Sequence, residues 1–190
     1  MSETVTINTE DGVISKIAIQ SLPLYDENHY MLRAKIPEYS DPLPNPVMNK
    51  LVQRLIYTKK EYAGIGLSAN QCGVSERLFV IGTDESTIVC INPKVLAIAE
   101  DFVTDNEGCL SYPGLYCKIH RPSWIEAEYT TPQGEVVRIR LEGLTARCFL
   151  HELDHLNGIR FVDHVKPLAL KMARQKQEKR IKNIKRRMKI

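Results

Sequence analysis

Residues 151–155 read His151-Glu152-Leu153-Asp154-His155. Histidines four positions apart sit about 40° apart on one helix face and can bind a single metal ion. Glu152, beside the first of them, projects toward the coordination position that such a site leaves open for water, where a carboxylate can take a proton. Five residues of this kind also arise by chance, as two hydrogen-bonded histidines on an ordinary helix. The rest of the helical wheel argues for the metal. With His151 at zero, Leu144 falls at about 20°, Cys148 at about 60° and Glu152 at about 100°. Phe149, Leu153 and Leu156 cluster at roughly 140–200°. The helix is apolar on two sides and is expected to be buried on both. Two histidines and a carboxylate in such a helix are costly unless paired or metal-bound.

Two histidines leave a tetrahedral site one protein ligand short if one position is kept for water. Downstream no Gly-x-x-His follows, and His164 lies nine residues past His155. Upstream stands Glu107-Gly108-Cys109-Leu110-Ser111. Cys109 is either a buried structural thiol, the usual fate of a free cysteine, or a thiolate ligand beside the histidine pair. A third segment, Gly64-Ile65-Gly66-Leu67-Ser68-Ala69-Asn70-Gln71, is small and near-neutral. It reads either as a helix end and turn or as backbone that approaches a ligand closely, with Gln71 as a neutral donor. It lacks the spacing of a phosphate loop.

These segments need a scaffold. Residues 37–46 contain four prolines and end in Asn45-Pro46, a cap followed by proline at the first helical position. Apolar residues Val47, Leu51, Leu55 and Tyr62 then predict a helix over 46–62, stopped by Gly64. Residues 77–141 read as strands: RLFVI, TIVCIN, KVLAIA, LYCKIH, SWIEAEYT and EVVRIRLE, the last two a hairpin around Thr131-Pro132-Gln133-Gly134. A helix from Leu144 to about Leu156 ends at Asn157-Gly158, and Pro167 opens a last helix that runs toward the C-terminus. The expectation is an α+β fold with mostly antiparallel sheets packed around a buried metal-binding helix, plus a C-terminal helix.

In this order, GIGLSANQ (64–71), EGCLS (107–111) and HELDHLNG (151–158) resemble the three signature motifs of the peptide deformylases, and the resemblance spans roughly residues 22–175. Departures fall at Ser68, Asn70, Leu150 and Tyr116; the last bears on substrate preference more than on chemistry. The resemblance implies that Cys109, His151 and His155 ligate a metal with water or hydroxide in the fourth position, and that Glu152 is general base and then acid. It implies hydrolysis of the formyl group of N-formylmethionyl nascent peptides. Gln71 and the Leu110 backbone N–H would bind the developing oxyanion, with Gly66 lining the site. Leu144, Cys148 and Ile65 would form the methionine pocket. The peptide would add as a strand along Gly64–Gly66 and the Gly108 region. Glu107 and Arg121 would pair in support; as a surface ion pair they would be worth little. A Cys/His/His site with open water reads as zinc by its ligands. The resemblance instead implies Fe²⁺ in the cell, with Zn²⁺, Ni²⁺ or Co²⁺ able to occupy the same site, and a thiolate beside Fe²⁺ would be sensitive to oxidation.

Charge divides the 190 residues unevenly. Residues 166–190 hold 11 Lys/Arg and one acid, Glu178, whereas 1–165 hold 15 basic and 22 acidic residues. The division gives a catalytic domain over 1–166 and a basic amphipathic tail over 167–190. In the tail, Leu170, Ala173, Gln177, Ile181, Ile184 and Met188 form a narrow stripe. Leu168 and Met172 fall on the opposite side, where the body would clamp the first turns. A basic arm suggests a polyanionic partner, and the resemblance points to the ribosome and its RNA rather than a membrane. No apolar run is long enough to span a bilayer, and no targeting segment is expected in the polar, acidic start. Five cysteines without a CxxC pair fit a reducing compartment. The expected location is the cytoplasm, or the host cytoplasm for a chain encoded by a virus of bacteria. Two other readings remain: a zinc-type peptidase using HExxH alone, and a non-enzymatic RNA-binding scaffold. Retention of Glu152, Gln71 and all three ligands speaks against the second.

Overall fold

The computed structural model describes residues 4–8 and 14–187. Two short strands, β1 (Thr4–Asn8) and β2 (Ile14–Ala18), pair antiparallel at the start; no periodicity had singled them out. Helix α1 (Pro46–Glu61) begins where the proline pattern predicts, with Asn45 Oδ1 accepting from Val47 N at 2.8 Å and Met48 N at 3.3 Å. It ends differently from the expectation. The left-handed residue is Ala63 (φ 52°), and Gly64 leaves room for Leu110, whose Cδ1 would stand 2.7 Å from a Cβ there.

A five-stranded antiparallel sheet follows: β3 (Gly66–Ser68), β4 (Leu78–Gly82), β5 (Thr87–Ile98), β8 (Trp124–Thr130) and β9 (Val136–Glu142), in that spatial order. β3 is therefore an edge strand, with one side open for pairing. The 64–71 segment is not simply a helix end and turn. It runs as β3 into a short 3-10 turn over Ala69–Cys72, all four of whose residues are buried. The two strands expected at 87–92 and 94–99 are one strand, β5. Its pairing with β8 shifts register after Ile91, where Asn92 sits at φ 51° and Pro93 cannot donate a hydrogen bond. The Asn92 amide bonds instead to both backbone polar groups of Tyr39, at 2.8 and 2.9 Å.

A second pair, β6 (Phe102–Cys109) and β7 (Tyr112–Pro122), carries Cys109 at its closed end. β6 is mostly exposed, and its acidic, weakly alternating sequence gave no strand signal. Helix α2 (Gly143–Leu156) touches β3, β4, β8 and β9 of the larger sheet and β7 of the smaller one. The antiparallel sheets thus pack around the helix that holds His151 and His155. Phe149 and Leu156 bury in the core with Phe79, Ile81, Ile125 and Ala127. The expected burial on both sides holds only in part: Leu144 is 61% exposed at the start of the helix, and Leu150 and Leu153 are half-buried.

Helix α3 (Pro167–Arg187) lies against β7. Leu170 and Ala173 pack on Tyr112, Leu115, Phe161 and Val162. Leu168 and Met172 are exposed rather than clamped by the body, because the face bearing Leu170, Ala173 and Gln177 is the one that meets β7 and the 3-10 turn Phe161–His164. Of that stripe, Met188 lies outside the described residues. Among the described residues no helix is long and apolar enough to cross a membrane.

Candidate metal centre

Cys109 from the end of β6 and His151 and His155 from α2 converge. One potential ligand atom from each lies within 4.8 Å of the others, and Cys109 Sγ stands 3.2 Å from His155 Nε2. Both histidines are buried. His151 Nδ1 is held by Glu107 Oε2 at 3.0 Å, which fixes the ring and leaves Nε2 for an ion. One thiol and two imidazoles suit a first-row transition metal rather than Mg²⁺ or Ca²⁺. The surroundings favour one more positive charge. Burial would lower the His151 pKa, yet hydrogen bonds to Cys109 and Glu107 raise it to about 10. A divalent ion would satisfy that field in place of the proton. His155 is pushed well down by burial, so its imidazole stays neutral, the ligating form. The donor set fits a metal.

Glu152 follows His151 into the same space. Its Oε2 is buried with no hydrogen-bond partner. Burial lifts its pKa to about 7, against the pull of His151 and of hydrogen bonds from Ser68. Gly66 makes the room: a Cβ there would stand 2.4 Å from Glu152 Oε1 and 2.7 Å from Cys148 Sγ. Gln71 Oε1 accepts from the Ser68 N–H and hydroxyl, both at 3.0 Å. Its amide nitrogen is thereby turned toward Ser111 Oγ (3.1 Å) and Cys109 Sγ (3.4 Å). The orientation follows from a capping box on the 3-10 turn.

A cleft of about 530 Å³ opens over this group. Gly64, Ile65 and Gly66 line it from the β3 edge; Gly108, Cys109 and Leu110 line it from β6. Leu144, Cys148, His151 and Glu152 line it from α2. His155 is not among its lining residues and sits behind the other two metal-binding candidates. The tip of β7 supplies Tyr112 to Tyr116.

Behind the histidines lies a network that the sequence shows only in part. Glu107 and Arg121 pair, but buried rather than on the surface: they are 6% and 5% exposed. Arg121 Nε and Nη2 each donate to Glu107 at 3.0 Å. Arg147 Nη1 adds a third bond at 2.8 Å. Burial would raise the Glu107 pKa, but bonds from His151 and Arg121 hold it down at about 2. Arg121 Nη1 also reaches Asp154, which accepts from His164, both at 2.7 Å. The spacing of Arg147 and Asp154, four before and three after His151, was the signal that could have placed them on the ligand face of α2.

The chain is similar to known proteins in sequence and in fold. The family model described as polypeptide deformylase matches residues 21–171. The peptide deformylase of Thermotoga maritima is 39% identical over 129 residues, covering 68% of this chain and 79% of its own. Among solved structures, the Synechococcus elongatus peptide deformylase in complex with actinonin superposes with a TM-score of 0.78 at 34% identity. That match covers 85% of this chain and 91% of the other. The Met-Ala-Ser-bound class I type b peptide deformylase of Acinetobacter baumannii gives 0.74 at 28% identity, over 77% and 99%. Matched over most of its length in sequence and in fold, the chain belongs to the polypeptide deformylase family.

Proposed function

We propose that the chain removes the formyl group from N-formylmethionyl nascent peptides, with Cys109, His151 and His155 holding one divalent metal ion. The carrying observation is the buried Glu152 carboxylate, whose Oε2 has no hydrogen-bond partner, beside these three residues on the floor of an apolar-walled cleft. An ion bound there supplies Lewis acidity that activates water at neutral pH. Glu152 accepts the proton of the attacking water and passes it to the amine nitrogen as the formyl C–N bond breaks. Gln71 Nε2 and the Leu110 backbone N–H face the oxygen on which negative charge develops. The methionine side chain sits among Ile65, Leu144 and Cys148, and the peptide pairs with the open edge at Gly64–Gly66 while passing Gly108. Fe²⁺ is the proposed ion in the cell, with Zn²⁺, Ni²⁺ or Co²⁺ as substitutes, and the cytoplasm is the proposed location. The test is formate release from formyl-Met-Ala-Ser by chain loaded anaerobically with Fe²⁺. Release no faster than from the Glu152→Gln variant would refute the assignment.

Gly66 gives a second check on the same geometry. A methyl at 2.4 Å from Glu152 Oε1 must displace the carboxylate, and a shift of about 1 Å in a reacting group costs about 10²-fold in rate. Gly66→Ala is expected to lose about that much kcat while its metal content, measured by atomic absorption, stays unchanged. Unchanged kcat would mean that Glu152 has slack the packing denies.

For the tail we propose docking on ribosomal RNA. In α3, Lys171, Lys176, Lys179, Lys182, Lys185 and Arg186 are exposed, and phosphate neutralisation by such a face weakens steeply with salt. Full-length chain should co-sediment with ribosomes at low salt and chain 1–166 should not; equal binding removes the idea. The division into a 1–166 catalytic domain and a 167–190 arm is part of this proposal.

A further inference from the structure

Helix α3 bonds to the tip of β7, which lines the cleft. The β6–β7 register passes from Gly108↔Tyr116 straight to Cys109↔Tyr112, so residues 113–115 bulge away from β6. Their carbonyl groups need partners from elsewhere, and α3 provides two. Gln177 is 8% exposed on an otherwise exposed stretch. Its Nε2 donates to the Pro113 carbonyl at 2.9 Å, and its Oε1 accepts from Arg174 at 3.0 Å. Arg174 in turn is ion-paired with Glu27. One turn further on, Arg180 Nη1 donates to the Gly114 carbonyl at 3.2 Å. The Arg180 guanidinium carbon stands 5.1 Å from the centre of the Tyr116 ring. Tyr116 is 54% exposed at the cleft mouth and lies over Gly108, where a Cβ would meet its Cε1 at 2.7 Å. Among the described residues Arg180 has no carboxylate partner, and a guanidinium has five N–H donors. Glu107 and Arg147, deeper in the cleft, are ion-paired with one another.

We infer that Arg180 is a specificity-determining residue that favours formylated peptides with an acidic third residue. The inference rests on the deformylase reading above. An extended peptide advances about 3.3 Å per residue, so a chain whose formyl group lies at Cys109 carries its third side chain past Gly108 and Tyr116. A guanidinium held beside an aromatic ring keeps N–H donors free for a carboxylate. Gln177, by fixing α3 to Pro113, positions those donors.

The test compares kcat/KM for C-terminally amidated formyl-Met-Ala-Asp and formyl-Met-Ala-Lys in the metal-loaded full chain. The ratio is taken within each variant, so a general loss of activity cancels. The parent should prefer the Asp peptide by about two- to fivefold, the scale of an exposed ion pair. The preference should lie in KM, with kcat alike for the two peptides, and should shrink as salt is raised. Arg180→Ala and Gln177→Ala should bring the ratio toward one, Arg180→Glu should invert it, and Arg180→Lys should restore part of it. A ratio that Arg180→Glu leaves as in the parent overturns the inference. Absence of formate from every peptide would overturn the deformylase reading instead.

Discussion

Glu152→Gln is expected to bind metal like the parent and to release formate about 10²–10⁴-fold more slowly. The substitution keeps the shape of a side chain that is 3% exposed and packed against Gly66, so the cleft should survive. What it removes, on the proposed mechanism, is the ability to take a proton and return it. The carboxylate is well placed for both steps. Its Oε2 has no hydrogen-bond partner that would compete for the proton. Burial brings its pKa to about 7, close to the pH at which proton acceptance and proton donation are both feasible. The ligand atoms of Cys109, His151 and His155 do not include it, so metal content and rate should separate. The measurement pairs metal analysis with formate release on the same preparation. Activity within about tenfold of the parent would mean that another group moves the proton. Loss of metal would mean that Glu152 is a ligand and not a base.

The site was more legible in the sequence than its support. Helical spacing alone put His151, Glu152 and His155 on one face, and the chain keeps that arrangement. Cys109 could not be assigned by spacing, because its approach depends on β6, whose exposed acidic sequence carries no strand period. Only the order of three motifs placed it. Gln71 was legible as a donor, but the reason its amide points inward is local: Ser68 claims its oxygen through the capping box of a 3-10 turn. Arg147 was missed because a charged residue early in a helix reads as a solvated one until the partner is known. Here that partner, Glu107, comes from a strand 40 residues earlier. The charge division of the chain was plain, yet it concealed Gln177. One buried amide in a basic helix ties the arm to the cleft wall, so the arm and the catalytic body are less separate than their charges suggest.

Glu107 therefore carries the second large effect. It accepts two bonds from Arg121, one from Arg147 and one from His151 Nδ1. Replacing it with Gln keeps the volume and removes the charge. Arg121 and Arg147, 5% and 7% exposed, would then share Asp154 as their nearby carboxylate, and only Arg121 reaches it. Uncompensated buried charge of this kind costs about 3–5 kcal/mol, and for a domain of this size each kcal/mol lowers Tm by roughly 2–4 °C. The metal should suffer as well. An amide can still meet His151 Nδ1, but without a carboxylate to raise the basicity of the ring, affinity is expected to fall about 10–100-fold. The two readouts separate the roles: thermal unfolding of the metal-free chain reports the network, and metal titration reports the ring. Arg140 and Glu142, an exposed pair at 51% and 67%, form the contrast. Arg140→Ala removes a surface ion pair and a stacking contact with Trp124, and the ion pair itself should contribute no more than about 1 kcal/mol. If Glu107→Gln shifts Tm no more than Arg140→Ala and leaves metal affinity unchanged, the buried network is not what holds the His151 ring in place.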